Sequence, residues 1–302
     1  MTKIYDKTNY KEALQAIKRG ALTVYPTETV YGIGSVIHNS ISLAKIFVLK
    51  KRPRSKPLSL NIASAEMARP FLNFSDYQRY QKIAAKFLPG PLSVIFKTSI
   101  ESEAAQYFTR KGSISLRMPA SGLFLDALRA VGPIAGTSAN LSGELSLTDP
   151  HDVKAAMKDL AEIILLDGAP EIGVESTILD LTGNPKIFRV GAISVEEISD
   201  FLAEPVEIVT DSRRYELRKT LYLYRNSAEL NSLIDRVKPD DYLIWGNNFG
   251  FAGKYLPQSP LAELFSTLKK IDQDSKISVI FAEETNDDLY NRKLGELAQK
   301  WE

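Results

Sequence analysis

Short apolar runs alternating with helix-length segments, and punctuated by glycine and proline, constrain this chain more than any other feature of its sequence. Residues 21–25, 30–37, 58–62, 92–96, 113–117, 134–137 and 163–167 read as strands, and 175–181 with 186–190 as a hairpin about Gly183-Asn184. Helical spacing runs through 42–49, 123–130, 150–160 and 194–201, and residues 63–88 hold two helices divided near Pro70 to Phe74. An opening helix extends to Arg19, with Thr8 or Asn9 as its cap and Gly20 as its end. Gly32 and Gly34 allow close backbone approach in the second strand, and Pro89-Gly90-Pro91 makes a rigid turn into the fourth. This alternation, with hairpins among the crossovers, predicts a mixed α/β domain of about 200 residues.

A change of composition follows. Residues 205–220 are rich in charge and poor in consecutive apolar positions, so they read as a linker or an exposed strap. Beyond them, residues 221–224, 242–245 and 277–281 predict three strands, with helices at 228–237, 261–271 and 287–301. The expected division is a first domain over 1–205, a linker over 206–220 and a small C-terminal α/β domain over 221–302. Trp245 and Trp301 read as core residues of that second domain.

Composition excludes several classes of function. The 302-residue chain has no cysteine, which removes disulfides, thiolate metal sites and cysteine nucleophiles. Its two histidines, His38 and His151, rule out a histidine-rich metal centre, support no Ser-His-Asp triad, and read as structural or solvent-facing. A balance of 38 Lys plus Arg against 37 Asp plus Glu argues against broad wrapping of nucleic acid and leaves room for one local basic cleft. Neither the phosphate-loop pattern nor the dinucleotide fingerprint occurs. The charged N-terminal residues and the absence of a long apolar run predict a cytoplasmic protein without a membrane segment.

Two stretches concentrate chemistry. Lys50-Lys51-Arg52-Pro53-Arg54-Ser55-Lys56 places five cations beside rigid prolines, and Gly136-Thr137-Ser138-Ala139-Asn140-Leu141-Ser142-Gly143 offers hydroxyls, an amide and flexible backbone. Together they suit an anion such as a nucleotide phosphate; the plainer alternatives are a solvated helix end and a turn that satisfies itself. Lys50 and Arg52 would diverge in a continuing helix but can converge from a loop. Arg117, at a strand end before Pro119, can clamp a carboxylate or phosphate, or form a structural salt bridge. Thr27, Glu28 and Thr29 lie at another strand end, where Glu28 is expected to pair with Lys50 or Arg52 or to orient a substrate. Glu175-Ser176-Thr177 adds hydroxyls, and Arg189 sits near the end of its hairpin partner.

In their order and spacing, PTETVYGIG from Pro26, KKRPRSKPL from Lys50, PGPLS from Pro89, SLRMPA from Ser115, GTSANLSG from Gly136, ESTILDL from Glu175 and FRVGAIS from Phe188 closely resemble the Sua5/YrdC/YwlC family of threonylcarbamoyl-AMP synthases. The C-terminal part, with Asn291-Arg292, resembles the extra domain of the two-domain Sua5 form. The resemblance implies a twisted mixed sheet of the YrdC-like type around a concave basic cleft, plus a small three-layer α/β domain. It implies conversion of L-threonine, bicarbonate or CO2, and ATP into L-threonylcarbamoyl-AMP and pyrophosphate, with Mg2+ accompanying the nucleotide. The product would serve the tRNA threonylcarbamoyl transferase machinery that makes t6A; direct tRNA binding is left open.

By the same resemblance, nucleotide contacts fall on Lys50, Arg52, Lys56, Ser138, Asn140, Ser146 and Arg189, with Lys50 and Arg52 catalytic. Threonine contacts fall on Thr29, Asn61, Arg117 and Ser176. Two departures stand out. Asn61 occupies a position where the family usually has histidine, and residues 207–224, EIVTDSRRYELRKTLYLY, replace the usual strap over the cleft. Tyr215 and Tyr222 are the two tyrosines open to its closing role. An RNA-binding accessory protein, or a YciO-like carbamoyl-adenylate enzyme with another substrate, is the competing expectation.

Overall fold

The computed structural model describes residues 1–141, 143–209, 217–237, 241–247 and 254–298. The chain divides into two compact units, Met1–Ser142 with Ser146–Asp211, and Gly143–Leu145 with Ser212–Glu302. In the first unit the strands are β1 (Lys3–Asp6), β2 (Thr23–Tyr25), β3 (Gly32–Val36), β4 (Ser59–Asn61), β5 (Leu92–Lys97) and β6 (Thr109–Arg110). They continue with β7 (Ser113–Arg117), β8 (Ile134–Ser138), β9 (Ile163–Leu166), β10 (Thr177–Asp180), β11 (Lys186–Arg189) and β12 (Glu207–Ile208). Its helices are α1 (Leu14–Lys18), α2 (Ser40–Leu49), α3 (Phe74–Phe87), α4 (Gly122–Val131), α5 (Pro150–Met157) and α6 (Val195–Leu202).

These strands form one mixed sheet in the order β1-β9-β2-β3-β8-β4-β7-β5-β10-β11-β12, with β6 alongside β7. Most elements match their sequence patterns. Strand β1 escapes the pattern because charge flanks its apolar centre, and Glu207–Ile208, read as the start of a linker, pairs in parallel with β11. The opening helix begins as a 3₁₀ turn, Tyr10–Ala13, without a side-chain cap, because Asn9 Oδ1 accepts instead from the Asp6 N–H at 2.9 Å.

The register gives the sheet two unlike faces, since partnered residues on adjacent strands point the same way. One face carries the row Ala135, Leu60, Leu116, Val94 and Leu179, all buried in the main core. There Tyr80 of α3 meets Phe96 edge to face with ring centroids 6.0 Å apart. The opposite face carries Asn61, Arg117 and Ser93 in one row and Gly136 with Ser59 in the next. On this second face Tyr25 stacks on Phe124 of α4 at 3.8 Å. Gly136 is required there: a Cβ at this position would stand 2.0 Å from the Tyr25 hydroxyl.

The second unit contains β13 (Thr220–Tyr224), β14 (Tyr242–Trp245), β15 (Lys254–Leu256) and β16 (Val279–Glu283), with α7 (Ser227–Val237), α8 (Leu264–Gln273) and α9 (Asp288–Gly295). Its sheet is parallel in the order β13-β16-β14-β15. The sequence pattern predicts three strands; β15 is the fourth, too short for a periodic signal. Tyr222, one of the two candidate closing tyrosines, stacks with Phe281 in this unit's core. Trp245 is buried as expected, whereas Trp301 and Tyr215 lie outside the described residues. Among the described residues no helix is long and apolar enough to cross a membrane.

Candidate active site

The cationic run is sorted by the way α2 ends. Lys51 adopts a left-handed conformation at φ 48°, its N–H reaches Val48 O at 3.1 Å, and the Arg52 N–H reaches Phe47 O at 2.9 Å. This is the paired hydrogen-bond signature of a Schellman stop, and it turns the chain so that Lys50 and Arg52 both reach the end of β8. Lys50 is buried and its Nζ donates to Ser138 O, with Ser138 Oγ and Asn140 Oδ1 each at 3.4 Å. Arg52 donates through Nη1 to Thr137 Oγ1 at 3.3 Å, through Nη2 to Pro57 O at 2.9 Å and through Nε to Lys56 O at 2.7 Å. Arg54 points elsewhere, its guanidinium 4.9 Å from the Phe47 ring centre and 4.6 Å from that of Tyr107. Lys56 is exposed, and its backbone carbonyl accepts from Arg52 Nε.

A second constellation lies across the same sheet. Arg117 sits between Asn61 and Ser93 in register, and Ser93 Oγ is 3.0 Å from Ser176 Oγ. Arg117 reaches over to the loop after β2: its Nη2 donates to Glu28 Oε1 at 2.9 Å, to Thr29 Oγ1, and to Thr27 Oγ1 at 3.4 Å. The expected pairing of Glu28 with Lys50 or Arg52 is therefore corrected, because the sheet register brings Arg117 to it. Asn61 donates through Nδ2 to the Tyr25 hydroxyl at 3.1 Å and to Ile134 O at 3.2 Å. Since Ile134 O can only accept, this amide is oriented with its nitrogen toward β8. Burial raises the pKa of the Tyr25 hydroxyl above the ordinary tyrosine value, and the Arg117 charge and the Asn61 hydrogen bond oppose that rise.

Consecutive residues Glu175 and Ser176 bring in the remaining candidates. Ser146 Oγ donates to Glu175 Oε1 at 2.7 Å, with both side chains buried. Arg189 donates to Ser176 O at 2.8 Å and to Ser176 Oγ at 3.0 Å. The structure thus joins Thr29, Asn61, Arg117 and Ser176 in one polar row, and Lys50, Arg52, Ser138 and Asn140 in one cationic cluster. Ser146 and Arg189, expected beside the nucleotide, make their described contacts at the Ser176 end. The Asn61 row meets β8 at Ile134 and the cationic cluster meets it at Ser138, about 13 Å away along the strand. Sequence reasoning missed Ser93, the one hydroxyl in an apolar strand, and named Thr137 only as part of the 136–143 stretch.

The two histidines stay apart from this chemistry. His38 Nε2 lies 3.1 Å from Lys18 O, and His151 opens α5 with its backbone N–H on Asp149 Oδ1.

Comparison with known proteins places this geometry in context. Residues 15–191 match the family model for Sua5, YciO and YrdC, described as "Telomere recombination". The chain is 35% identical over 192 residues to the threonylcarbamoyl-AMP synthase of Pyrococcus abyssi, and 31% identical over 189 residues to that of Bacillus subtilis. Each match covers 62% of this chain and 55% or 54% of the relative, so the chain spans about half the length of these curated relatives. The crystal structure of P. abyssi Sua5 complexed with L-threonine superposes with a TM-score of 0.84 at 25% identity, covering 98% of this chain and 97% of the other.

Proposed function

Because this chain belongs to the Sua5/YciO/YrdC family, we propose that it is an L-threonylcarbamoyl-AMP synthase that makes its product and pyrophosphate from L-threonine, bicarbonate or CO2, and ATP. The observation that carries this reading is the presence, on one sheet, of a buried Lys50 with Ser138 and Asn140 at one end and an Arg117 row at the other. A cationic cluster suits a triphosphate, and a buried guanidinium among hydroxyls suits an amino acid carboxylate. The two meet β8 about 13 Å apart, which leaves room along the strand for an amino acid at one end and a triphosphate at the other.

The chemistry follows from that placement. Arg117 holds the threonine carboxylate while Thr29, Ser176 and Asn61 orient its polar groups. The threonine amine attacks CO2 at carbon, forms the carbamate C–N bond and releases its protons to solvent. A carbamate oxygen then attacks the α-phosphorus of ATP, and the bond to the bridging oxygen breaks as pyrophosphate departs. Lys50 and Arg52 stabilise the phosphate charge in that step, and holding both reactants in line supplies much of the rate. Ser146 and Arg189 support the nucleotide through the Glu175-Ser176 segment, and Lys56 extends the basic edge.

Among the described residues no group of three His, Cys, Asp or Glu side chains converges as a metal site. In this reading Mg2+ would accompany the ATP phosphates and offset the charge of the departing pyrophosphate. The product is a mixed anhydride that feeds the tRNA threonylcarbamoyl transferase reaction, and a cytoplasmic location is part of the same proposal.

Purified protein should release pyrophosphate from ATP only with threonine and bicarbonate present, and the product mass should equal that of threonylcarbamoyl-AMP. Equal turnover without threonine would overturn the reading, as would selective RNA binding with no adenylate formed.

A further inference from the structure

Glu28 stands beside the proposed substrates without a role in the steps above, yet its carboxylate is fully engaged. Oε1 accepts from Arg117 Nη2 at 2.9 Å, and Oε2 accepts from the Ala120 N–H at 2.8 Å. The pair is buried, with side-chain exposures of 11% for Arg117 and 7% for Glu28. Glu28 is also anchored through its backbone, since its carbonyl accepts from the Ile172 N–H at 2.9 Å. Among the described residues the Arg117 side chain donates through Nη2, to Glu28, Thr27 and Thr29. Nε is different: it is buried and has no acceptor among the described residues. A buried donor left without an acceptor is costly, and it demands an explanation in the site's chemistry.

We propose that Glu28 is a positioning residue that locks the Arg117 guanidinium by its Nη2 corner, against the demand of the orphaned Nε, and thereby fixes the direction in which its remaining edge meets the carboxylate of the amino acid substrate. The inference rests on the synthase reading for the identity of that substrate. Its physical basis is local. A flexible arginine would turn until all its donors met acceptors, whereas Glu28 and the two threonines hold one corner. The Ala120 N–H fixes the carboxylate itself, so the orientation is set from the backbone at both ends. Removing the Glu28 charge frees the guanidinium to rotate, and its effect falls on substrate recognition before it falls on phosphoryl chemistry.

The test is E28Q in the full chain, with E28D as a second variant should glutamine fail to fold. Threonine KM is expected to rise tenfold or more, while ATP KM and kcat at saturating threonine stay within about twofold. E28D, which keeps the charge on a shorter stem, should recover part of the threonine affinity. A threonine KM within twofold of wild type in E28Q overturns the proposal, and so does an equal fall in kcat and in affinity for both substrates. Should wild type make no adenylate, the synthase reading fails separately, and calorimetric binding of threonine decides: tighter binding to wild type than to E28Q supports the proposal. Equal affinity, or no binding to wild type, overturns it.

Discussion

At the scale of single residues, the site depends on side chains whose partners lie far along the chain. Lys50 is buried against Ser138 and Asn140, so its charge acts from within that cluster. Lys50→Ala is expected to lower pyrophosphate release by roughly 100-fold, about 2.7 kcal/mol of transition-state stabilisation, with little change in melting temperature. Asn61 makes the complementary point. Its amide donates to Tyr25 and Ile134, and an amide carries no titrating proton. Asn61→His should introduce a dependence of threonine affinity on pH between about 5 and 8 that wild type lacks, readable from KM measured across that range. The chemical inventory of this site was legible in the sequence because cations, hydroxyls and amides cluster in short stretches. What was not legible was pairing: nothing in the local pattern at Glu28 distinguishes Arg117 from Arg52 as its partner, because the choice is made by sheet register across some ninety positions of chain.

At the scale of elements, the stop of α2 and the face of β8 build the candidate site. Lys51 is a non-glycine residue in the left-handed region, a conformation that costs a β-carbon about 1 kcal/mol. Lys51→Gly should therefore raise unfolding free energy by about 0.5–1 kcal/mol in urea titration and leave turnover within about twofold. Gly136 is the opposite case. Its hypothetical Cβ meets both the Tyr25 hydroxyl and, at 2.7 Å, Ile33 O, so neither side can give way easily. Gly136→Ala should destabilise by about 1–3 kcal/mol and reduce threonine affinity through displacement of Tyr25 and Asn61. Element types were largely readable, since each strand of the first unit that carries apolar periodicity appears where expected. The misses are physical: β6, β12 and β15 are only two or three residues long and owe their pairing to neighbours rather than to their own pattern.

At the scale of the whole molecule, the first unit contains the main hydrophobic core from Ala13 to Ile198, and the second has a separate cluster that includes Tyr222, Ile244 and Phe281. Alkaline stability is set partly by buried tyrosines. Burial pushes the Tyr31 hydroxyl from the ordinary 10.0 up to about 12, while its contact with the Asp167 N–H opposes the shift. The unfolded chain loses this proton near 10 and the folded chain keeps it, so stability is complete below pH 10 and declines as pH rises toward 12. Urea titration at pH 8, 10 and 11 should show that decline, and Tyr31→Phe should flatten it at the expense of the bond to Gly168 O.

The two unlike faces of the main sheet have a consequence for how such a chain can change. Arg117 and Leu116 are neighbours in sequence, yet one lies in the candidate site and the other in the core. Stability and activity are interleaved like two messages written on alternate letters of one line, so each can be edited without rewriting the other. The same arrangement makes insertion of a single residue in β4, β7 or β8 fatal to both at once, because it would exchange the messages.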